Sequence, residues 1–124
     1  MPESWQLSRQ LLAKNTQFKQ MSKRHPAEFA ACWDNLKRVV GELDAGKRVG
    51  GFSFNFFRSE GQGVYRIGPT RVKSPCELRL YIYPDAPSKT IHILCLGDKS
   101  TQPDDINACH EKAKIIRGDN HEHE

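Results

Sequence analysis

The sequence predicts an α+β domain with an N-terminal helical hairpin, a small antiparallel sheet of three to four strands, and a C-terminal helix. Hydrophobic spacing changes from helical in the first third to alternating in the middle, and returns to helical near the C-terminus. The 124 residues are enough for one core of ordinary size but not for two. We expect a single domain over residues 1–117, followed by a disordered polar tail over residues 118–124.

The first third of the chain predicts two helices. Residues 6–22 place apolar side chains near one helical face, although a short strand around Trp5–Leu7 before the helix is an alternative. Pro26 disfavours helix at the residue before it and suits the first turn of a second helix. We expect that second helix to end at Gly46 and to pack against the first as an antiparallel hairpin. Its apolar stripe consists of Phe29, Trp33, Leu36, Val40 and Leu43.

The middle of the chain predicts strands, because its apolar residues alternate with polar ones. The alternation begins with three phenylalanines that share one face, and a glycine-rich turn over residues 59–63 separates this strand from the next. The predicted strands cover residues 52–56, 64–67, 76–83 and 90–96. The last of these is the most apolar and therefore belongs in the interior of the sheet.

The final helix is predicted from a stripe of apolar residues after a proline. Thr101 and Asp104 have the spacing of a capping box, and Pro103 suits the first turn. The stripe consists of Ile106, Cys109, Ala113 and Ile116. We expect all three helices to lie on one side of the sheet, which leaves its other side free for a ligand.

The composition indicates a cytoplasmic protein that does not enter a membrane. The N-terminus lacks the basic and apolar regions of a signal peptide, and the sequence has no long apolar run. The cysteines have no short paired spacing, so we expect reduced thiols and no disulfide frame. They are Cys32, Cys76, Cys95 and Cys109.

The positive charge is concentrated on the predicted sheet. The net charge is +4, but residues 47–79 alone carry seven basic side chains against two acidic ones. Such a concentration is what a phosphate-binding surface needs. Arginines and lysines on strands also serve as ordinary solvated residues that prevent edge-to-edge pairing, and this second interpretation stays open.

Common catalytic motifs are absent from the sequence. It has no glycine-rich phosphate loop before a helix, no Cys-x-x-Cys pair, no zinc-protease helix motif and no serine nucleophile elbow. Cys109 and His110 are adjacent on a helix and point in different directions, so they do not suit one metal ion. We therefore expect neither a metal site nor a cofactor.

A set of basic and aromatic residues on the predicted sheet is the best candidate for a functional site. In a meander of strands these side chains could meet on one concave surface. Arginine and lysine stabilise the extra charge on a phosphate under attack, histidine can move a proton, and tyrosine can stack on an extruded base. These properties suit RNA cleavage by the 2′-hydroxyl group. The candidates are Arg58, Arg66, Arg71, Lys73, Arg79, Tyr81, Tyr83, His92 and Lys99.

Residues 77–113 resemble the C-terminal half of the RelE/HigB-type toxins of bacterial toxin–antitoxin pairs. The resemblance rests on the order of a Glu-Leu-Arg strand, an aliphatic strand, a turn with lysine and Thr-Gln, and a final helix that contains alanine. The matching segments are Glu77-Leu78-Arg79, Ile91-His92-Ile93-Leu94-Cys95-Leu96, Lys99-Ser100-Thr101-Gln102 and Ile106-Asn107-Ala108. The short N-terminal strand named above as an alternative is also a feature of many members of this family.

The resemblance implies an mRNA endonuclease that acts on translating ribosomes without a metal, with an antitoxin protein as its partner. It implies that Arg79 and Arg66 hold the scissile phosphate and that His92 is a candidate base. Charge stabilisation or proton transfer would fall to Lys99, Lys73 or Arg71. The RNA would be contacted by Arg58, Arg71, Lys73, Tyr81 and Tyr83.

Two other functions are compatible with the same residues. One is a ParE-like toxin, similar in fold, that inhibits DNA gyrase by binding and needs no catalytic side chain. The other is a basic domain that binds RNA or a protein without catalysis.

Overall fold

The computed structural model describes residues 4–12, 15–73 and 77–118. These residues form an α+β fold with three α-helices and a five-stranded mixed sheet. In chain order the elements are β1 (Gln6–Ser8), α1 (Asn15–Arg24), α2 (Pro26–Asp44), β2 (Phe57–Ser59), β3 (Tyr65–Ile67), β4 (Arg79–Asp85), β5 (Thr90–Gly97) and α3 (Gln102–Arg117). Short 3₁₀ turns occur at Val49–Gly51 and Lys99–Thr101. No helix among the described residues has the length and apolar character needed to cross a membrane.

The strand order in the sheet is β1-β5-β4-β3-β2. β1 pairs with β5 in parallel, whereas all the other neighbours are antiparallel. The pairing between β4 and β5 shifts by one residue, because Tyr81 faces Cys95 while Ile82 faces Ile93. Leu94 is therefore an extra residue in β5, and this bulge brings Leu94 and Cys95 into the same buried cluster.

The helices cover both faces of the sheet, which corrects the expectation that they share one side. α1 and α2 pack on the face formed by Leu80, Ile82 and Ile93, together with other apolar residues of the sheet. α3 packs on the opposite face through Cys109 and Ala113. The predicted stripe of the last helix is confirmed, because Cys109 and Ala113 are fully buried. Helices therefore pack against both faces of β4 and β5.

The N-terminal segment begins with a strand and not with the predicted helix over residues 6–22. The strand alternative is confirmed, because Gln6–Ser8 pairs with the start of β5. α1 begins only at Asn15 and continues to Arg24. α2 follows directly, and the rings of Phe18 and Phe29 meet edge to face at 5.7 Å where the two helices pack. The parallel partner of β1 is distant in sequence, and short strands of this kind have weak local signals.

The predicted strand over residues 52–56 is wrong. Residues 52–56 form no ladder, and β2 begins at Phe57. The alternation in burial is real, since Phe56 is buried while Ser53 and Asn55 are exposed. Phe54 and Phe56 stack on each other with ring centroids 4.6 Å apart, so aromatic packing orders this segment in place of strand pairing.

The start of α3 is capped differently from the prediction. Thr101 is the N-terminal cap residue of α3 but makes no side-chain capping hydrogen bond to the helix. Asp98 instead caps the 3₁₀ turn that precedes α3, and its carboxylate accepts hydrogen bonds from the backbone N–H groups of Ser100 and Thr101 at 2.9 and 3.2 Å. The Thr101 hydroxyl also bonds the buried carboxylate of Asp105. A Cβ at Gly97 would collide with both Asp105 and Thr101, so glycine is required at this close approach.

Two ends of the predicted elements agree with the structure. Gly46 follows α2 with a positive φ of 91°, as a helix-terminating glycine does. Gly118 terminates α3 in the left-handed conformation. The rest of the predicted tail, residues 119–124, lies outside the described residues, and so does Cys76.

Candidate functional site

Three arginines from neighbouring strands line one open cavity at the end of the sheet. Arg58 lies on β2, Arg66 on β3 and Arg79 at the start of β4. The cavity has a volume of about 270 Å³, and we call it the arginine groove. Its lining consists of Asn55, Phe56, Arg58, Arg66, Gly68, Pro69, Glu77, Leu78 and Arg79.

Strand pairing places Arg58 and Arg66 on the same face. They are direct partners across β2 and β3, and Arg66 also pairs with Tyr81 of β4. Two like charges in this position repel each other unless an anion lies between them. Glu60 compensates one of them, because its carboxylate lies 3.3 Å from the Arg66 Nε. Arg58 is exposed and forms no ion pair within the described part of the chain. The groove therefore retains uncompensated positive charge.

Arg79 is held in place by groups from two elements. Its guanidinium bonds the side-chain oxygen of Gln102, the first residue of α3, and lies 3.3 Å from the carboxylate of Glu77. Only 14% of the Arg79 side chain is exposed, so its guanidinium is fixed and partly desolvated. A fixed guanidinium presents its donors without a reorganisation cost when an anion binds.

Glu77 is the carboxylate of the groove and lies between two cations. It contacts Arg79 on one side and the Lys99 ammonium, at 3.7 Å, on the other. Half of its side chain remains exposed, so a ligand can reach it. A reachable carboxylate beside several guanidinium groups can accept a proton while the arginines bind a phosphate.

His92 lies in a different cavity, near the other end of α3. We call this the histidine cavity. It has a volume of about 750 Å³ and is bounded by β1, the β4–β5 turn and the end of α3. Its lining consists of Gln6, Leu7, Ser8, Arg9, Gln10, Leu11, Asp85, Ser88, Thr90, His92, Ile115 and Ile116. Arg79 of the groove bonds Gln102 at the start of α3, whereas this cavity is lined by Ile115 near the end of α3. These two residues of α3 lie about 20 Å apart along a helix of 1.5 Å rise per residue.

The environment of His92 favours the neutral imidazole. Burial lowers its pKa below the ordinary value, although the carboxylate of Asp85 acts in the opposite direction. The Nδ1 atom is buried and has no hydrogen-bond partner in the described residues. Because His92 faces Tyr83 while Arg79 faces Gly97, the two residues belong to opposite ends of the β4–β5 pair. The expectation that His92 joins the arginines on one surface is wrong.

Tyr81 and Tyr83 lie between the two cavities and are covered by α3. Both are buried in the cluster that includes Cys109 and Ala113. Burial raises the pKa of the Tyr81 phenol above its ordinary range, even though Arg79 is close enough to oppose the change. A ring with no exposed face cannot stack on a base. The predicted contacts of these tyrosines with RNA therefore do not fit the structure.

The remaining predicted residues lie around the arginine groove at different distances. Lys99 approaches it through Glu77 and is 71% exposed. Arg71 lies outside the groove and lines two neighbouring cavities on the α2 side. Lys73 is exposed, and none of these cavities includes it. The structure thus brings Arg58, Arg66 and Arg79 together and leaves Arg71 and Lys73 on the periphery.

Three residues near the groove were missed as site candidates. Glu77 precedes Arg79 by two positions, so strand spacing already places the two on one face. Gln102 could have been found from the Thr101-Gln102 pair at the start of the last helix, which belongs to the segment that resembles the toxins. Asn55 had no usable signal, because the segment that carries it was predicted to be a regular strand.

Comparisons with known proteins give no independent identification. Among the residues that the structure describes, no group of three or more His, Cys, Asp or Glu side chains is arranged to hold a metal ion. No family model, curated protein or solved structure matches the chain.

Proposed function

We propose that the chain is an RNA-cleaving toxin of the RelE/HigB type, and that RNA is bound and cut in the arginine groove. The observation that carries the proposal is the meeting of three arginines and one reachable glutamate in a single cavity. The resemblance of residues 77–113 to these toxins supports it, and so does the short N-terminal strand. Cleavage on translating ribosomes and an antitoxin partner are parts of the proposal that rest on the resemblance alone.

The arginines would bind the phosphate that is cut. Arg79 is fixed by Glu77 and Gln102, and Arg66 is oriented by Glu60, so both guanidinium groups are preorganised. Attack of a 2′-hydroxyl gives the phosphorus five oxygens and an extra negative charge. Guanidinium groups stabilise that charge more strongly than the ground-state phosphate, and this difference lowers the barrier.

Glu77 and Lys99 would move the protons. The Glu77 carboxylate accepts the proton of the 2′-hydroxyl as the bond from the 2′-oxygen to phosphorus forms. The bond from phosphorus to the 5′-oxygen then breaks, and the Lys99 ammonium beside Glu77 donates a proton to the leaving oxygen. The products are a 2′,3′-cyclic phosphate and a 5′-hydroxyl end. His92 has no part in this scheme, because it lies in the histidine cavity.

Controlled expression in a bacterium tests this function. We expect growth arrest and new mRNA 5′ ends by primer extension, with the ends carrying a hydroxyl group. Ends that disappear when translation is blocked support ribosome-dependent cleavage. Growth arrest without new ends favours inhibition of gyrase. Normal growth with a folded protein contradicts both toxin functions and leaves a basic binding domain.

A further inference from the structure

The arginine groove continues into two more cavities that turn around the end of the sheet. Asn55 and Phe56 line both the groove and a second cavity of about 340 Å³. A third cavity, of about 310 Å³, follows and lies along α2. The second and third share Arg38, Thr70 and Arg71, and we call the two together the α2-side trough. The path therefore leads from the α3 face of the sheet to the α2 face.

The α2-side trough carries two arginines that have no ionic partner in the described part of the chain. Arg38 and Arg71 are exposed, and neither forms an ion pair within residues 4–12, 15–73 and 77–118. The second cavity has no carboxylate in its lining, and Asp34 is the acidic residue of the third. The trough thus has free donors for phosphate groups at a position adjacent to the groove.

Planar groups line the passage between the groove and the trough. The Arg38 guanidinium lies 5.0 Å from the centre of the Phe54 ring and 5.2 Å from that of Phe56. These rings stack on each other with an angle of 16° between their planes. Arginine planes and aromatic rings are the surfaces on which unpaired bases stack, whatever their sequence.

We propose that the α2-side trough binds the nucleotides of a single-stranded RNA that flank the phosphate held in the arginine groove. This inference rests on the proposed function and names the path of its substrate. Arg38 and Arg71 bind the flanking phosphates, and a base stacks at the Arg38–Phe54 layer. A single strand fits because the path bends from one face of the sheet to the other, which a stiff duplex does not follow.

Binding of oligonucleotides of two lengths tests the proposal. The probes are a fluorescent trinucleotide and a nonanucleotide of 2′-O-methyl RNA, which lacks the hydroxyl needed for cleavage. The variant is R38Q/R71N, where asparagine suits the positive φ of 63° at position 71. The matched control is R24Q/R48Q, which removes two exposed arginines that line none of these cavities. Circular dichroism confirms that each variant is folded.

We expect the wild-type protein to bind the nonanucleotide at least about tenfold more tightly than the trinucleotide, which is the scale of one stacked base. R38Q/R71N should lose this gain while its affinity for the trinucleotide stays within about twofold, because the groove is intact. For R38Q/R71N and the nonanucleotide, the slope of log affinity against log salt concentration should become less steep by about 1.4, which is 0.7 for each lost phosphate contact with a single strand. The control should behave like the wild type.

Other results overturn the proposal. If R38Q/R71N still binds the nonanucleotide about tenfold more tightly than the trinucleotide, the flanking nucleotides bind elsewhere. An equal loss in R24Q/R48Q shows a dependence on total charge only. Equal competition by polyaspartate shows an acidic-peptide site without RNA preference. If the gain is present and lost as expected but primer extension shows no cleavage, only the proposed nuclease function fails.

Discussion

The arginine groove and the histidine cavity lie near the two ends of α3 and differ in the charge of the side chains that line them. In the groove, Arg66 and Arg79 each form an ion pair with a carboxylate, and Arg58 forms no ion pair within the described residues. In the histidine cavity, burial lowers the pKa of His92 and favours its neutral form. The groove has three arginines and one carboxylate in its lining, whereas the histidine cavity has one arginine, Arg9, and one carboxylate, Asp85. The comparison assigns the proposed RNA chemistry to the groove alone.

The largest effect is expected at Arg79. Arg79→Gln should lower the rate of RNA cleavage by about a thousandfold, because it removes a preorganised donor to the developing charge. Cleavage of an mRNA in a translating extract measures the rate. Arg79→Lys should recover only a small part of it, since lysine keeps the charge without the planar fork. The matched control is Arg24→Gln. An equal loss of cleavage rate in that control would contradict the role proposed for Arg79.

Glu77 should give the next largest effect. Glu77→Gln keeps the size and polarity of the side chain but removes its ability to accept a proton. We expect cleavage to slow by about a hundredfold, as for the loss of a general base. RNA binding should be unchanged or tighter, because the groove loses a negative charge. Weaker binding at an unchanged single-turnover rate would instead indicate a structural role.

His92 should affect stability and leave cleavage intact. His92→Gln should change the cleavage rate by less than about threefold, because His92 lies outside the groove. The folded-state pKa of His92 is lowered, so the unfolded chain binds a proton more readily as pH falls below about 6.5. The wild type should therefore lose stability below that pH, and His92→Gln should reduce the loss. Urea unfolding at neutral and mildly acidic pH measures the difference.

Tyr81 should give the smallest effect. Its hydroxyl is buried without a hydrogen-bond partner in the described residues, and such a group costs about 1–3 kcal/mol. Tyr81→Phe should therefore leave the free energy of unfolding equal or raise it by up to about 1 kcal/mol. RNA binding should not change, because the ring is covered by α3. A clear loss of RNA binding in a folded Tyr81→Phe protein would contradict this burial and indicate that the hydroxyl contacts the RNA.

The sequence predicted the three arginines of the groove as site candidates but not the separation of His92 from them. Alternation over residues 77–80 predicts Glu77 and Arg79 on the face opposite Leu78 and Leu80, and the structure agrees in burial although β4 itself begins at Arg79. The position of His92 depends on pairing. The short turn after Asp85 pairs that residue with Thr90, which forces His92 opposite Tyr83 and away from Arg79. The register that this turn sets, and not the alternation within either strand, therefore separates His92 from the arginines.

Other parts of the fold depend on contacts that no local pattern encodes. β1 has three residues, and it exists because β5 offers it a parallel edge far along the chain. The aromatic run before β2 alternates like a strand, but stacking between Phe54 and Phe56 and contact with Arg38 give it another conformation. The sequence also did not indicate the face of the sheet on which α3 packs. Because α3 packs on the face that carries Tyr81 and Tyr83, both side chains are buried.

The most direct test of the account compares the two cavities in one assay. Single-turnover cleavage of an mRNA in a reconstituted translation system should be measured for the wild type, R66Q/R79Q and H92Q, each shown to be folded. We predict that R66Q/R79Q loses more than about a thousandfold in rate while H92Q stays within about threefold. A slow H92Q beside an active R66Q/R79Q would contradict the account and move the chemistry to the histidine cavity.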